Sequence, residues 1–215
     1  ETFAEHGCAV AFTYSSNSEA AETLVKELTT AGIQVKAYQS NAADFEAAQK
    51  LVDEVLADFG SLDILINNAG ITKDNLLMRM GEEDFDHVIE VNLKSVFNMT
   101  KAVQRTFLKQ RHGSLIHMSS VVGVKGNAGQ ANYAASKAGL IGLTKTLSKE
   151  VAASGINVNA LALGYFNTGM INDVPEEMKE TITENIPMKK LGDPATVCKT
   201  IEYLISKEAK YVTGQ

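Results

Sequence analysis

The sequence predicts an α/β fold of three layers, a doubly wound parallel sheet with helices on both faces, and two observations carry that reading. Short apolar, β-favouring runs alternate with amphipathic helical stretches without internal repeat, and strands joined through helices return to the sheet in parallel. Small and polar residues also gather just after several strand-like runs, at the edge where open parallel sheets bind ligands. With 215 residues, 45% of them hydrophobic, the chain can bury one sizeable core and is read as one domain over residues 1–215.

Taken in order, residues 1–7 read as the last turns of a helix closed by Gly7. Residues 9–14 form the first β-favouring run, and an amphipathic helix follows over 18–31, stopped by Gly32. Residues 35–38 are the next strand candidate. A helix over 44–59 then places Leu51, Val52, Val55 and Leu56 on one stripe. The run 62–66 returns to strand and ends in Asn67-Asn68-Ala69-Gly70. Residues 76–80, Leu-Leu-Met-Arg-Met, read as a core-facing helix start. Residues 83–111 are helical with a break expected near Asp86–His87, and 115–118 form a buried strand. A helix over 131–154, a strand over 156–163, a helical lid over 170–191 and a closing helix over 194–206, begun by Pro194, complete the reading. A dinucleotide-binding fold also needs an earlier strand with a glycine-rich turn and a later strand, which are expected to lie outside the given residues.

Composition narrows the function classes. The net charge is −6, with 20 basic residues scattered rather than clustered, which argues against a nucleic-acid surface. No apolar run approaches the ~20 residues that cross a bilayer, and no leader-like segment opens the chain, so a soluble cytoplasmic protein is expected. Cys8 and Cys198 lack metal-ligand spacing and read as buried reduced thiols; the histidines form no ligand pair, so no metal is expected. The sequon at Asn98 falls in a helical stretch and is read as unused.

The chemistry concentrates between Ser119 and Lys137. Ser120 follows a buried strand, so its hydroxyl should stand at the strand's carboxyl end. Tyr133 comes thirteen residues later and Lys137 four beyond it, one helical turn apart on the same face. A phenol normally titrates near ~10, and a neighbouring ammonium is expected to lower that value and make Tyr133 a usable acid or base.

Serine at a strand end, a glycine-bearing loop and Tyr-x-x-x-Lys at a helix start together resemble the short-chain dehydrogenase/reductase family. The resemblance spans essentially the whole chain. It implies a Rossmann-like fold, a nicotinamide cofactor, and a catalytic set of Asn92, Ser120, Tyr133 and Lys137, with Asn92 holding a water that passes protons toward Lys137. Ser120 and Tyr133 would contact the substrate carbonyl. Asn68 and Gly70 would border the adenosine side of the cofactor, Asn41 and Ala42 the adenine, and Phe166 and Thr168 the nicotinamide, with Tyr133 and Lys137 also touching the cofactor. Leu163 stands where the family usually has proline, which is expected to loosen the following loop. After the first β-favouring run comes Tyr14-Ser15-Ser16-Asn17, with no acid before Glu19; a ribose 2′-phosphate is tolerated near Ser15, which favours NADPH.

Residues 70–80 with 113–137 look like the 3-oxoacyl-(acyl-carrier-protein) reductases of bacterial fatty-acid synthesis. That likeness implies a substrate carried on acyl carrier protein, docking at Arg111 beside Lys109 and His112, and a homotetramer assembled through the long helices. An acyl-CoA, sugar or secondary-alcohol reductase on the same fold, or a catalytically silent homologue, remains an alternative.

Overall fold

The computed structural model describes residues 2–168, 171 and 174–215. Helix α1 (Thr2–Glu5) leads into β1 (Val10–Tyr14), α2 (Ser18–Thr30), β2 (Val35–Gln39), α3 (Phe45–Phe59) and β3 (Ile64–Asn67). Then come α4 (Glu82–Ile89), a π turn (Glu90–Lys94), α5 (Ser95–Gln110), β4 (Gly113–Ser120) and the short α6 (Val121–Lys125). The long helix α7 (Ala131–Val151), β5 (Ile156–Leu163), α8 (Glu176–Asn185) and α9 (Pro194–Ile205) follow. All strand pairs among the described residues are parallel: β1 with β2, and β3, β4 and β5 in that order. This is the Rossmann-like α/β fold, with its strands in two separate ladders rather than one. No described strand bridges β1 to β3.

Local chemistry explains most boundaries. Asp44 caps α3 by accepting from Ala47 N–H at 2.8 Å, and Gly60 ends the helix with φ 80°. Asn17 caps α2 in the same way, and Asp193 precedes Pro194 to open α9. Gly7, at φ 81°, closes α1. Thr213 to Gln215 already run beside β5, with Gly214 N–H donating to Val158 O and Ala160 N–H to Gln215 O.

The two faces of β4 sort the core. Leu115 packs with Phe107, Val103, Val151 and Val158 under α5 and α7. Ile116 and Met118, one position out of phase, pack with Ile201 and Leu204 of α9.

Several expectations change. The break in the 83–111 helix is the π turn at Glu90–Lys94, not a break at Asp86–His87; the buried Asn92 side chain of that turn bonds to the loop after β3. Leu76, Leu77 and Met78 do not face the core. They are 52%, 73% and 87% exposed around a single 3₁₀ turn. Of the lid expected over 170–191, Met170, Asn172 and Asp173 lie outside the described residues, and Glu176–Asn185 is a helix. Helix α6 stands where the sequence reads as loop, and Ser120 caps it by accepting the Val122 N–H. Leu163 takes the last place in the β4–β5 ladder, opposite Ser120, and packs with Ile116 and Met118. Cys8 and Cys198 are half-buried, not buried, and are free thiols.

Candidate active site

Every residue singled out at a strand end sits at the carboxyl edge of its ladder. Ser15 follows β1 and is exposed, its carbonyl accepting from Gln39 Nε2 at 2.9 Å. Asn41 and Ala42 follow β2; the Asn41 Oδ1 accepts from Ala43 N–H, and Asn98 Nδ2 donates to the Ala42 and Ala43 carbonyls. Asn98 is buried on α5, so its sequon faces the interior, and it is a loop tether that sequence reasoning missed. Asn68 and Gly70 follow β3 and are exposed. Phe166 follows β5, bridges to Gly192 and lays its ring where a Gly192 side chain would stand. Thr168 is exposed beside it.

Ser120 is the last residue of β4, nearly buried, and its Oγ accepts the Val122 N–H at 3.1 Å. The hydroxyl proton is therefore left to donate elsewhere. Tyr133 and Lys137 share a face of α7: the Lys137 Nζ lies 5.5 Å from the centre of the Tyr133 ring. Lys137 is 5% exposed, and its Nζ donates to Met118 O at 2.7 Å. A backbone carbonyl from β4 thus fixes the amine at the strand end beside Ser120.

Electrostatics correct one expectation. Burial holds the Tyr133 phenol above its ordinary value, with Asp74 and Tyr165 adding to the rise and a hydrogen bond with Ser120 pulling against it. Tyr133 is not made more acidic in this state. Desolvation acts on the lysine instead and brings Lys137 down to about 8.

Asn92, completely buried in the π turn, clasps one residue of the loop after β3. Its Oδ1 accepts Ile71 N–H at 2.8 Å, and its Nδ2 donates to Ile71 O at 2.9 Å and to Ser136 Oγ at 3.2 Å. Both amide hydrogens are committed, which leaves one lone pair of Oδ1. A Cβ on Gly70 would stand 3.4 Å from both Asn92 Oδ1 and Lys137 Nζ. The bare backbone of Gly70 thus leaves an acceptor and an amine sharing one small cradle.

Sequence reasoning also missed Asn132 and Ser136, both completely buried on α7. The available signal was two polar residues four apart within an alanine-rich helix.

A nicotinamide cofactor suits this donor set. A nearly buried cation, two hydroxyls and an open glycine edge meet where a polyhydroxylated ribose and a carbonyl have hydrogen-bonding needs. Comparison with known proteins agrees. Residues 1–215 match the family model described as enoyl-(acyl carrier protein) reductase. A Staphylococcus epidermidis protein named 3-oxoacyl-(acyl-carrier-protein) reductase is 46% identical over 99% of this chain and 87% of its own length. Proteins of the same name from Thermotoga maritima and Escherichia coli are 47% and 43% identical, over 99% and 100% of this chain and 86% of each relative. With that similarity extending over nearly the whole length, the chain belongs to the short-chain dehydrogenase/reductase family.

Proposed function

We propose that residues 1–215 form one dinucleotide-binding catalytic domain that uses NADPH to reduce a 3-oxoacyl thioester on acyl carrier protein to the 3-hydroxyacyl form. The observation that carries this reading is the meeting of Ser120, Tyr133 and Lys137 at the end of β4, in a chain whose named relatives perform that reduction.

When bound, the nicotinamide supplies the hydride. The chain orients the ketone and delivers a proton to its oxygen. Ser120, its oxygen already accepting from Val122, donates its hydroxyl to the substrate carbonyl. Tyr133, held above its ordinary value, is fully protonated at neutral pH and so stands ready as the acid. Each donor aimed at the developing alkoxide lowers the barrier by roughly 2.7–4 kcal/mol. Lys137 would hold the ribose hydroxyls with the N–H groups not used by Met118, and its charge would favour the phenolate that follows proton transfer. Asn92, through its one uncommitted lone pair, holds a water that returns a proton toward Lys137 and Tyr133.

Cofactor choice rests on Ser15 and Ser16, since Asn17 is occupied in capping α2 and Glu19 lies within the helix. Asn41, Ala42, Asn68 and Gly70 border the adenosine half of the cofactor, and Phe166 and Thr168 the nicotinamide. Arg111 ends α5 at φ 57° and is exposed, next to exposed Lys109. His112, held above its ordinary value by its hydrogen bond to Asp63, stands at the same turn. An acidic carrier protein would find cations there. Self-association as a tetramer is supported by exposed Phe97 and Leu108 on α5 and by exposed Ala135, Ala138 and Gly142 on α7. Among the described residues no helix is long and apolar enough to cross a membrane, and a cytoplasmic location fits the reading.

The family description raises a second reaction, reduction of an enoyl thioester. Two hydroxyls placed for one carbonyl oxygen favour the ketone. NADPH absorbance with acetoacetyl-carrier protein, acetoacetyl-CoA and crotonyl-carrier protein separates these readings. Fastest turnover is expected on the carrier-bound ketone, and turnover of crotonyl-carrier protein alone would overturn the proposal.

A further inference from the structure

Helix α7 carries two polar stripes side by side. Tyr133 and Lys137 form one, and Asn132 and Ser136, each one position earlier, form the other about 100° around the helix. The second stripe is fully buried. Asn132 Nδ2 donates to Lys73 O at 2.9 Å and to Asp84 O at 3.4 Å, while its Oδ1 accepts Tyr133 N–H at 2.7 Å. Ser136 Oγ accepts from Asn92 Nδ2 and donates to Tyr133 O at 2.8 Å.

These bonds make one continuous path. Tyr133 is held by Asn132 at its amide and by Ser136 at its carbonyl, Ser136 holds Asn92, and Asn92 clasps Ile71. Alanine at 136 would leave one Asn92 amide hydrogen buried without an acceptor, an arrangement that native interiors avoid. The amide would then be free to tilt, and its Oδ1 is the atom that shares the Gly70 cradle with Lys137.

We propose that Ser136, backed by Asn132, is a positioning residue: it locks the Asn92 amide so that its oxygen and the Lys137 amine keep a fixed separation above Gly70. Ser136 touches neither substrate nor cofactor in this account. The inference rests on the reductase reading for its kinetic consequence but not for its structural one.

The test compares Ser136→Ala and Ser136→Thr with the parent chain by two readouts. In cofactor-free protein, hydrogen exchange of the Ile71 N–H, which Asn92 Oδ1 accepts, should quicken about fivefold to tenfold in Ser136→Ala, matching the loss of one hydrogen bond. Ser136→Thr, which keeps the hydroxyl, should restore protection. In turnover assays, kcat should fall by a similar factor with KM for NADPH and for the thioester unchanged, and threonine should recover it. Unchanged Ile71 exchange in Ser136→Ala would overturn the proposal, whatever the rate does. So would faster exchange with kcat intact in an active parent. A parent chain that turns over no thioester would sink the reductase reading, while the exchange result would still decide whether Ser136 holds Asn92.

Discussion

Helices α3 and α7 both pack on the sheet, yet they bury opposite kinds of surface. Helix α3 turns Ala48, Leu51, Val52 and Val55 inward, against Tyr38 of β2 and the main core. Helix α7 buries Asn132, Ser136, Lys137, Thr144 and Ser148 alongside Leu140 and Val151. Apolar burial is non-directional, so α3 could slide by fractions of an ångström at little cost. Buried polar groups need partners at fixed distance and angle, so α7 is held in one pose by bonds to β4, to the loop after β3 and to the π turn. The helix that carries Tyr133 and Lys137 is the one whose position is specified by hydrogen bonds.

The largest effect that would break this contrast is chemical. Tyr133→Phe removes the phenolic oxygen from α7 and is expected to lower turnover by about 10²–10⁴-fold, the usual contribution of a positioned acid. Thermal unfolding of the same variant should move little, because the half-buried phenol is not part of the core. Near-normal NADPH oxidation by Tyr133→Phe would remove the assignment.

Next comes the apolar side. Leu51→Ala on α3 should cost roughly 2–5 kcal/mol in denaturant unfolding while leaving kcat per folded molecule unchanged. A loss of kcat without loss of stability would mean that α3, too, positions the site.

A smaller and pH-dependent effect sharpens the comparison from the α7 side. His117 of β4 is fully buried, and its Nδ1 lies 3.0 Å from Thr144 Oγ1, which itself donates to Leu140 O. The ring therefore donates through Nδ1, and Nε2 has no partner. Burial brings its pKa down from 6.5 to about 4. Because the folded value lies below the unfolded one, the unfolded chain binds more protons between them. Stability from this group is complete above about 6.5 and is lost as pH falls toward 4, by at most about 3 kcal/mol. Denaturant midpoints measured from pH 7 to 4 should fall more steeply in the parent than in His117→Gln; parallel curves would show that His117 is not the group responsible.

Some of this was legible in the residues. The strand Ile156–Leu163 is legible to the residue, and α3 and α9 within one, because capping aspartates, a proline and period-specific apolar patterns mark them locally. The Ser120, Tyr133 and Lys137 grouping was readable from spacing because a four-residue step puts two side chains on one helix face whatever surrounds them. The π turn was misplaced since nothing in its own sequence announces it, and Asn98, Asn132 and Ser136 escaped notice as ordinary polar helix residues. Leu76 to Met78 look like core and are exposed, since hydrophobic character alone does not say which side of a turn is covered.

By itself the sequence determined the order of the longer strands and helices, several caps and the pairing of Tyr133 with Lys137, all of which depend on residues only a few positions apart. Only the tertiary structure decided that Asn92 reaches Ile71, that Ser136 reaches Asn92, and that the lysine, rather than the tyrosine, is the group made more acidic. Those outcomes depend on which atoms distant in the chain exclude water from one another, and burial of that kind is a property of the packed molecule.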